Sequence, residues 1–113
     1  MHKEYKTMTK DISVQLAKLR EALPEVMTGF SSLAAASSKE GVLSKHTKEL
    51  IAMALAVAAR CDGCIGFHAQ ALVKQGVSRD EFMETLALAI YMGGGPSLMY
   101  AAEALAAFEE FSS

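Results

Sequence analysis

The stretch Leu50-Ile51-Ala52-Met53-Ala54-Leu55-Ala56-Val57-Ala58-Ala59 decides the fold class. It falls short of the roughly 20 apolar residues that a membrane-spanning helix needs. Being apolar on every side, it has the pattern of a helix buried in a protein core. Alanines at 52, 54, 56, 58 and 59 leave little bulk, so other helices can approach closely. Directly after it comes Arg60-Cys61-Asp62-Gly63-Cys64-Ile65-Gly66-Phe67-His68, which holds both cysteines of the chain and one of its three histidines.

Helical periodicity extends in both directions from this run. Residues 1–8 carry no pattern and are expected to fray. From Thr9, the residues Ile12, Leu16, Leu19 and Leu23 recur at helical spacing, with Thr9 or Asp11 as the cap. Pro24 ends that helix and can open the next, whose apolar face continues through Val26, Met27, Phe30 and Leu33. The polar residues 37–41 form a loop between helical hairpins. Ser44 is the expected cap of the helix that carries Glu49 and the apolar run, with Thr47 as the alternative. A break over 60–63 leads to a fourth helix, about 64–75, closed by Gly76. Ser78 and Glu81 have capping-box spacing for a fifth helix. Gly93-Gly94-Gly95-Pro96 stops it, and a sixth helix, 97–111, presents Glu103, Glu109 and Glu110 as an acidic face. No segment alternates as a strand does. The expected fold is all-α, six helices in a bundle forming a single domain over 1–113.

Composition narrows the function. Apolar residues make up 51% of the 113 and the net charge is -2. A small domain has too much surface to hide that much apolar area alone, so a homo-oligomer is expected. The charge balance gives no reason to expect nucleic acid or an acidic membrane as partner. Residues 1–10 are polar and lack the apolar core of a secretory signal, so the expected location is the cytoplasm. In that reducing compartment a C-x-x-C pair points to redox or metal chemistry rather than a structural staple.

On a helix that starts near Cys61, Cys61 and Cys64 share a face at i, i+3, and Cys64 and His68 share it at i, i+4. A helix N-terminus favours thiolate, and a nearby imidazole can take the thiol proton. One cysteine then attacks and the other resolves the product as a disulfide. Glu49 is twelve residues before Cys61. If two helices fold back antiparallel at the break, Glu49 falls about 8 Å beyond His68, so contact needs a crossing angle, a water or a neighbouring subunit. Otherwise Glu49 is a solvated acid at a helix start. Two readings compete with redox chemistry. The cysteines could be small core residues. They could also bind zinc together with His68 and either His46 or Glu49, although no second ligand pair completes a closed site.

The arrangement E-x11-C-x-x-C-x3-H, from Glu49 to His68, resembles the AhpD-like alkylhydroperoxidase family of the carboxymuconolactone decarboxylase superfamily. The resemblance covers roughly residues 43–111, including LIAMALAVAARC and AQALVKQGVSRDEFMETLALAIYMGGGPS. It implies an all-α oligomer, a trimer or hexamer, that reduces peroxides without a bound cofactor or metal and is recharged by an external dithiol or protein reductant. By the same resemblance Cys64 attacks the peroxide, Cys61 resolves the sulfenic acid, His68 relays the proton and Glu49 is its acid. Where the best-studied branch has a histidine between the cysteines, this chain has Asp62-Gly63, a departure that bears on how the thiols are activated. Related decarboxylases do not rely on the pair. A lactone-decarboxylase-type enzyme, or a redox module with negligible turnover, is therefore the alternative function.

Other features read as structure. Gly93-Gly94-Gly95 lacks the Gly-Lys-Ser/Thr ending of a phosphate loop and reads as a helix break. His46, three residues before Glu49, reads as an exposed first-turn histidine, and Tyr91 and Tyr100 flank the glycine break as packing or pocket residues.

Overall fold

The computed structural model describes residues 3–113, leaving Met1 and His2 outside the described residues. Six helices occur among them and no strand: α1 (Tyr5–Ala22), α2 (Pro24–Ser38), α3 (Lys45–Ala58), α4 (Asp62–Lys74), α5 (Arg79–Gly93) and α6 (Gly95–Ser112). The all-α expectation holds. Most ends follow from local chemistry. Pro24 is the first residue of α2, where a missing N–H leaves nothing unpaired. Ser44 Oγ accepts the Thr47 N–H at 3.0 Å to cap α3. Ser78 and Glu81 make the full reciprocal box at α5, and Gly76 takes a φ of 76° after α4. Gly94, at φ 70°, reverses the chain so sharply that α6 starts at Gly95, two residues before the expected Ser97.

Helix α1 departs from expectation. It begins at Tyr5 rather than Thr9, and neither Thr9 nor Asp11 caps it. The expected frayed segment is replaced, over residues 3–8, by structure in which Tyr5 is fully buried. The cap comes from the far end of the chain. Glu110 on α6 accepts the N–H groups of Tyr5 and Lys6 at 2.9 and 2.8 Å, placing a carboxylate where the helix leaves donors unpaired and its dipole is positive. The acidic face expected on α6 is therefore divided among three roles. Glu110 caps α1, Glu109 accepts from Arg79 at 2.8 Å, and Glu103 turns inward and is buried.

The core gathers Tyr5, Met53, Val57, Ile65, Leu72, Phe82, Leu86 and Phe108. The Phe82 and Phe108 rings stack at 4.3 Å. Helix α4 is packed by α1, α3 and α6. The apolar run on α3 is buried through Met53, Ala56 and Val57 only; Ile51 and Leu55 face outward, with Leu55 63% exposed. Burial on all sides is thus not reached within one chain. Helix α2 has no buried residue, and Phe30 on it is 67% exposed. The radius of gyration, 14.3 Å, exceeds the ~13 Å of a compact chain this long, as expected with α2 outside the core.

Glycines inside the cysteine motif set the fit between α1 and α4. A Cβ on Gly66 would lie 2.8 Å from Thr9 Cγ2 and 3.2 Å from Tyr5 Cδ1, and one on Gly63 would lie 3.1 Å from Ile12 Cδ1. Gly66→Ala should therefore lower unfolding free energy by about 1–2 kcal/mol, since overpacking outweighs the gain in helix propensity. Gly29, on exposed α2, has nothing within 4 Å of its position for a Cβ, and Gly29→Ala should raise stability by roughly 0.5–1 kcal/mol. Urea unfolding of both variants checks the contrast; equal effects would contradict the close-packing account.

Candidate redox site

The turn from α3 into α4 builds the site. Arg60 takes a left-handed φ of 56°, uncommon for a residue with a Cβ, and Cys61 follows in extended conformation as the N-cap of α4. Its Sγ accepts the Cys64 N–H at 3.2 Å. Cys61 and Cys64 are joined as a disulfide with Cα atoms 5.2 Å apart. Cys64 is exposed and Cys61 half-buried. Both sit at the positive end of the α4 dipole, which favours negative charge. The expected i, i+3 pairing therefore forms, with Cys61 just outside the helix rather than within it.

His68 lies one turn beyond Cys64 on α4 and meets Glu49 of α3, its Nδ1 against Glu49 Oε1. The contact is made within one chain. The helix ends sit closer to the turn than expected, at Ala58 and Asp62, so the offset along the helices is smaller than about 8 Å and the two side chains span it directly. A carboxylate only accepts, so Nδ1 is the donor in this contact, and Nε2 is the ring nitrogen not engaged by Glu49. The Glu49 side chain is 15% exposed and that of His68 36%.

Beside this pair is a cleft of about 300 Å³ whose wall includes Leu43, Ile51, Ala52 and Leu55 together with Glu49 and His68. That is the size of a small-molecule site. Lys48 also borders it, but its ammonium donates to the carbonyls of Ser37 and Lys39 at 3.1 and 2.8 Å and so anchors the end of α2. His46 does not join Glu49; its Nε2 pairs with Glu81 Oε2 at 2.9 Å. Glu81 is held below the usual carboxylate range, first by the Ser78 backbone N–H and next by His46. Among the described residues no group of three or more His, Cys, Asp or Glu is arranged to hold a metal ion.

A second polar group, on the α1 side of the cysteines, escaped sequence reasoning. Lys3 Nζ donates to both oxygens of Asp62 at 2.9 and 3.1 Å, and the Tyr5 hydroxyl donates to Asp62 Oδ1 at 3.3 Å. The Lys3 ammonium also lies 5.2 Å above the Tyr100 ring, which gives Tyr100 a cation to face, whereas Tyr91 is exposed. Lys3 fell in the segment expected to fray, and no local pattern pairs it with a residue 59 positions away. Its one visible sign was the acid between the cysteines.

Known proteins share this architecture. The family model described as carboxymuconolactone decarboxylase family matches residues 24–107. An uncharacterized protein of Cupriavidus necator is 39% identical over 113 residues, all of both chains. The apo crystal structure of a carboxymuconolactone decarboxylase family protein from Legionella pneumophila superposes with a TM-score of 0.95 at 68% identity, covering 96% of this chain and 97% of that one. A Thermotoga maritima protein of the same family, for which an antioxidative role has been suggested, has a TM-score of 0.81 at 27% identity, covering 91% and 88%.

The hydrogen bond from Lys3 to Asp62 holds the ammonium above its usual value of 10.5. A base raised in the folded state contributes stability that is complete below its unfolded pKa and is lost as pH rises through the folded one. The stability difference between wild type and Lys3→Met should therefore stay level from neutral pH to about 10 and shrink only above 10.5. Urea midpoints recorded across that range check it; a difference already fading near pH 8 would contradict the pairing.

Proposed function

The chain belongs to the carboxymuconolactone decarboxylase family, and from that membership we propose that it is a thiol-dependent peroxidase acting through Cys61 and Cys64. One observation carries the reading: the two cysteines are joined at the start of α4, one turn from a histidine in contact with a partly buried carboxylate. No helix of the described residues is long and apolar enough to cross a membrane, and peroxide is taken as reaching the site from solution.

Cys64, the exposed sulfur, attacks. Its proton passes to Nε2 of His68 while Glu49 holds the ring and stabilises the imidazolium. The thiolate displaces the peroxide O–O bond and takes the terminal oxygen as a sulfenic acid. The other oxygen leaves as alkoxide and collects the proton from His68 as an alcohol. The half-buried Cys61 thiol then attacks the sulfenic sulfur, releasing water and closing the disulfide. Peroxide gains two electrons and the cysteine pair loses two; an external dithiol or protein reductant returns them by thiol–disulfide exchange. The apolar wall of the neighbouring cleft suits the organic portion of an alkyl hydroperoxide.

The active form is a homo-oligomer, a trimer or hexamer by resemblance to the family. Phe30 and Leu33 on α2, Leu55 on α3, and Leu88 and Met92 on α5 are all exposed in the single chain, more apolar surface than a soluble monomer usually shows. Sedimentation velocity should give a mass several times 12.1 kDa, and Phe30→Asp should lower it; a monomer at micromolar concentration would overturn this.

Counting free thiols tests the activity. One equivalent of an organic peroxide should remove both thiols of the reduced wild type together within seconds. Cys61→Ser should stop at a sulfenic acid on Cys64, and Cys64→Ser should be inert. Survival of both wild-type thiols in excess peroxide would overturn the peroxidase reading, leaving the lactone-decarboxylase chemistry that does not need the pair.

A further inference from the structure

Asp62 is the residue between the cysteines nearest Cys61 and the first of α4. A carboxylate there suits the helix dipole but opposes any thiolate that forms beside it, because like charges disfavour one another's ionised form. The chain meets that carboxylate with a cation from far away. Lys3 Nζ contacts both Asp62 oxygens, at 2.9 and 3.1 Å, and lies 3.9 Å from Glu103 Oε1 on α6. Tyr5 adds its hydroxyl to Asp62, and Tyr100 faces the ammonium with its ring. Glu110, the other acid of α6 in this region, is engaged by the N–H groups of Tyr5 and Lys6.

We propose that Lys3 is a positioning residue of the cysteine pair: by neutralising Asp62 it lets a thiolate form at the start of α4, and it makes that thiolate depend on the docking of α1. The proposal rests on the thiol chemistry proposed above, but its content is electrostatic and does not need peroxide turnover. The side chain of Lys3 is 24% exposed and that of Asp62 34%, so solvent screens the pair only in part. Hydrogen bonding to Asp62 keeps Lys3 charged well past neutral pH, so this compensation holds wherever thiolate chemistry operates.

The test follows thiolate absorbance against pH in the reduced full-length protein, and the disulfide–dithiol equilibrium against dithiothreitol, in which the reagent's two thiols become its cyclic disulfide as the protein's disulfide is reduced. Lys3→Met should leave roughly tenfold less thiolate at neutral pH. It should also shift the equilibrium toward disulfide by a similar factor, ~30 mV for a two-electron couple. Lys3→Arg should restore the wild-type titration. Asp62→Asn should move thiolate formation the opposite way, to lower pH, and Lys3→Met with Asp62→Asn should return most of the way to wild type. A purely structural clamp predicts no such reversal of sign, and Asp62→Asn would then behave like Lys3→Met. That result, or unchanged titration in Lys3→Met, overturns the proposal. If wild type consumes no peroxide while these shifts appear, the peroxidase reading fails and this inference stands; peroxide turnover with no shifts gives the reverse.

Discussion

At Gly66 the backbone of α4 comes so near α1 that a Cβ would lie 2.8 Å from Thr9, and much of the site depends on that approach. It lets Tyr5 sink fully into the core while its hydroxyl reaches back to Asp62. It places Lys3, just before α1, over the turn that holds the cysteines. Glu110 closes the arrangement by capping α1 from α6. The N-terminal turn of α4 is thus fixed from two sides by residues that share no sequence proximity with it, and a fixed turn is what holds a cysteine pair and a histidine one helical turn apart.

Two polar side-chain contacts flank the cysteines, each anchoring a residue of α4. Glu49 reaches His68 from α3, and Lys3 reaches Asp62 from the start of the chain. Each joins elements that hydrophobic packing has already brought together, so their contribution is more to charge placement than to net stability. Breaking one partner of a partly buried pair costs more than the pair gains over an apolar replacement. At the start of α4, with the exposed Cys64, lie the helix dipole, the Asp62 carboxylate met by Lys3, and His68 one turn further on. In the redox cycle proposed above, the dipole and the imidazole favour removal of a thiol proton, and Lys3 offsets the carboxylate that would oppose it.

What the sequence made legible was local. Pro24, Ser44, Gly76 and the Ser78–Glu81 box act within a few residues of themselves, and each ends or starts a helix as its chemistry requires. The cysteine motif was legible for the same reason, since i, i+3 and i, i+4 spacing fixes a shared face. What was hidden depends on distance along the chain. Glu110 serves as the cap of α1 from 105 residues away, and Lys3 looked like part of a frayed tail until its partner at Asp62 was in place. Glu49 reaches His68 because α3 and α4 end close to the turn between them, and the length of that turn leaves no periodic trace. Leu55 read as buried because the run around it is apolar on every side; a single chain covers only the Met53–Val57 face.

His68, in contact with Glu49, is proposed to set the reactivity of Cys64. Single-turnover oxidation of the reduced protein by an organic peroxide, timed across pH 5–10 (about the span in which a thiol and a histidine titrate), measures it most directly. Loss of the base should slow wild-type oxidation by roughly 10²–10⁴-fold near neutral pH in His68→Asn. The deficit should close as alkali ionises the thiol without help, and Glu49→Gln should fall between the two. A His68→Asn profile that overlays wild type at every pH would contradict the claim and leave the histidine a packing residue beside chemistry done by other means.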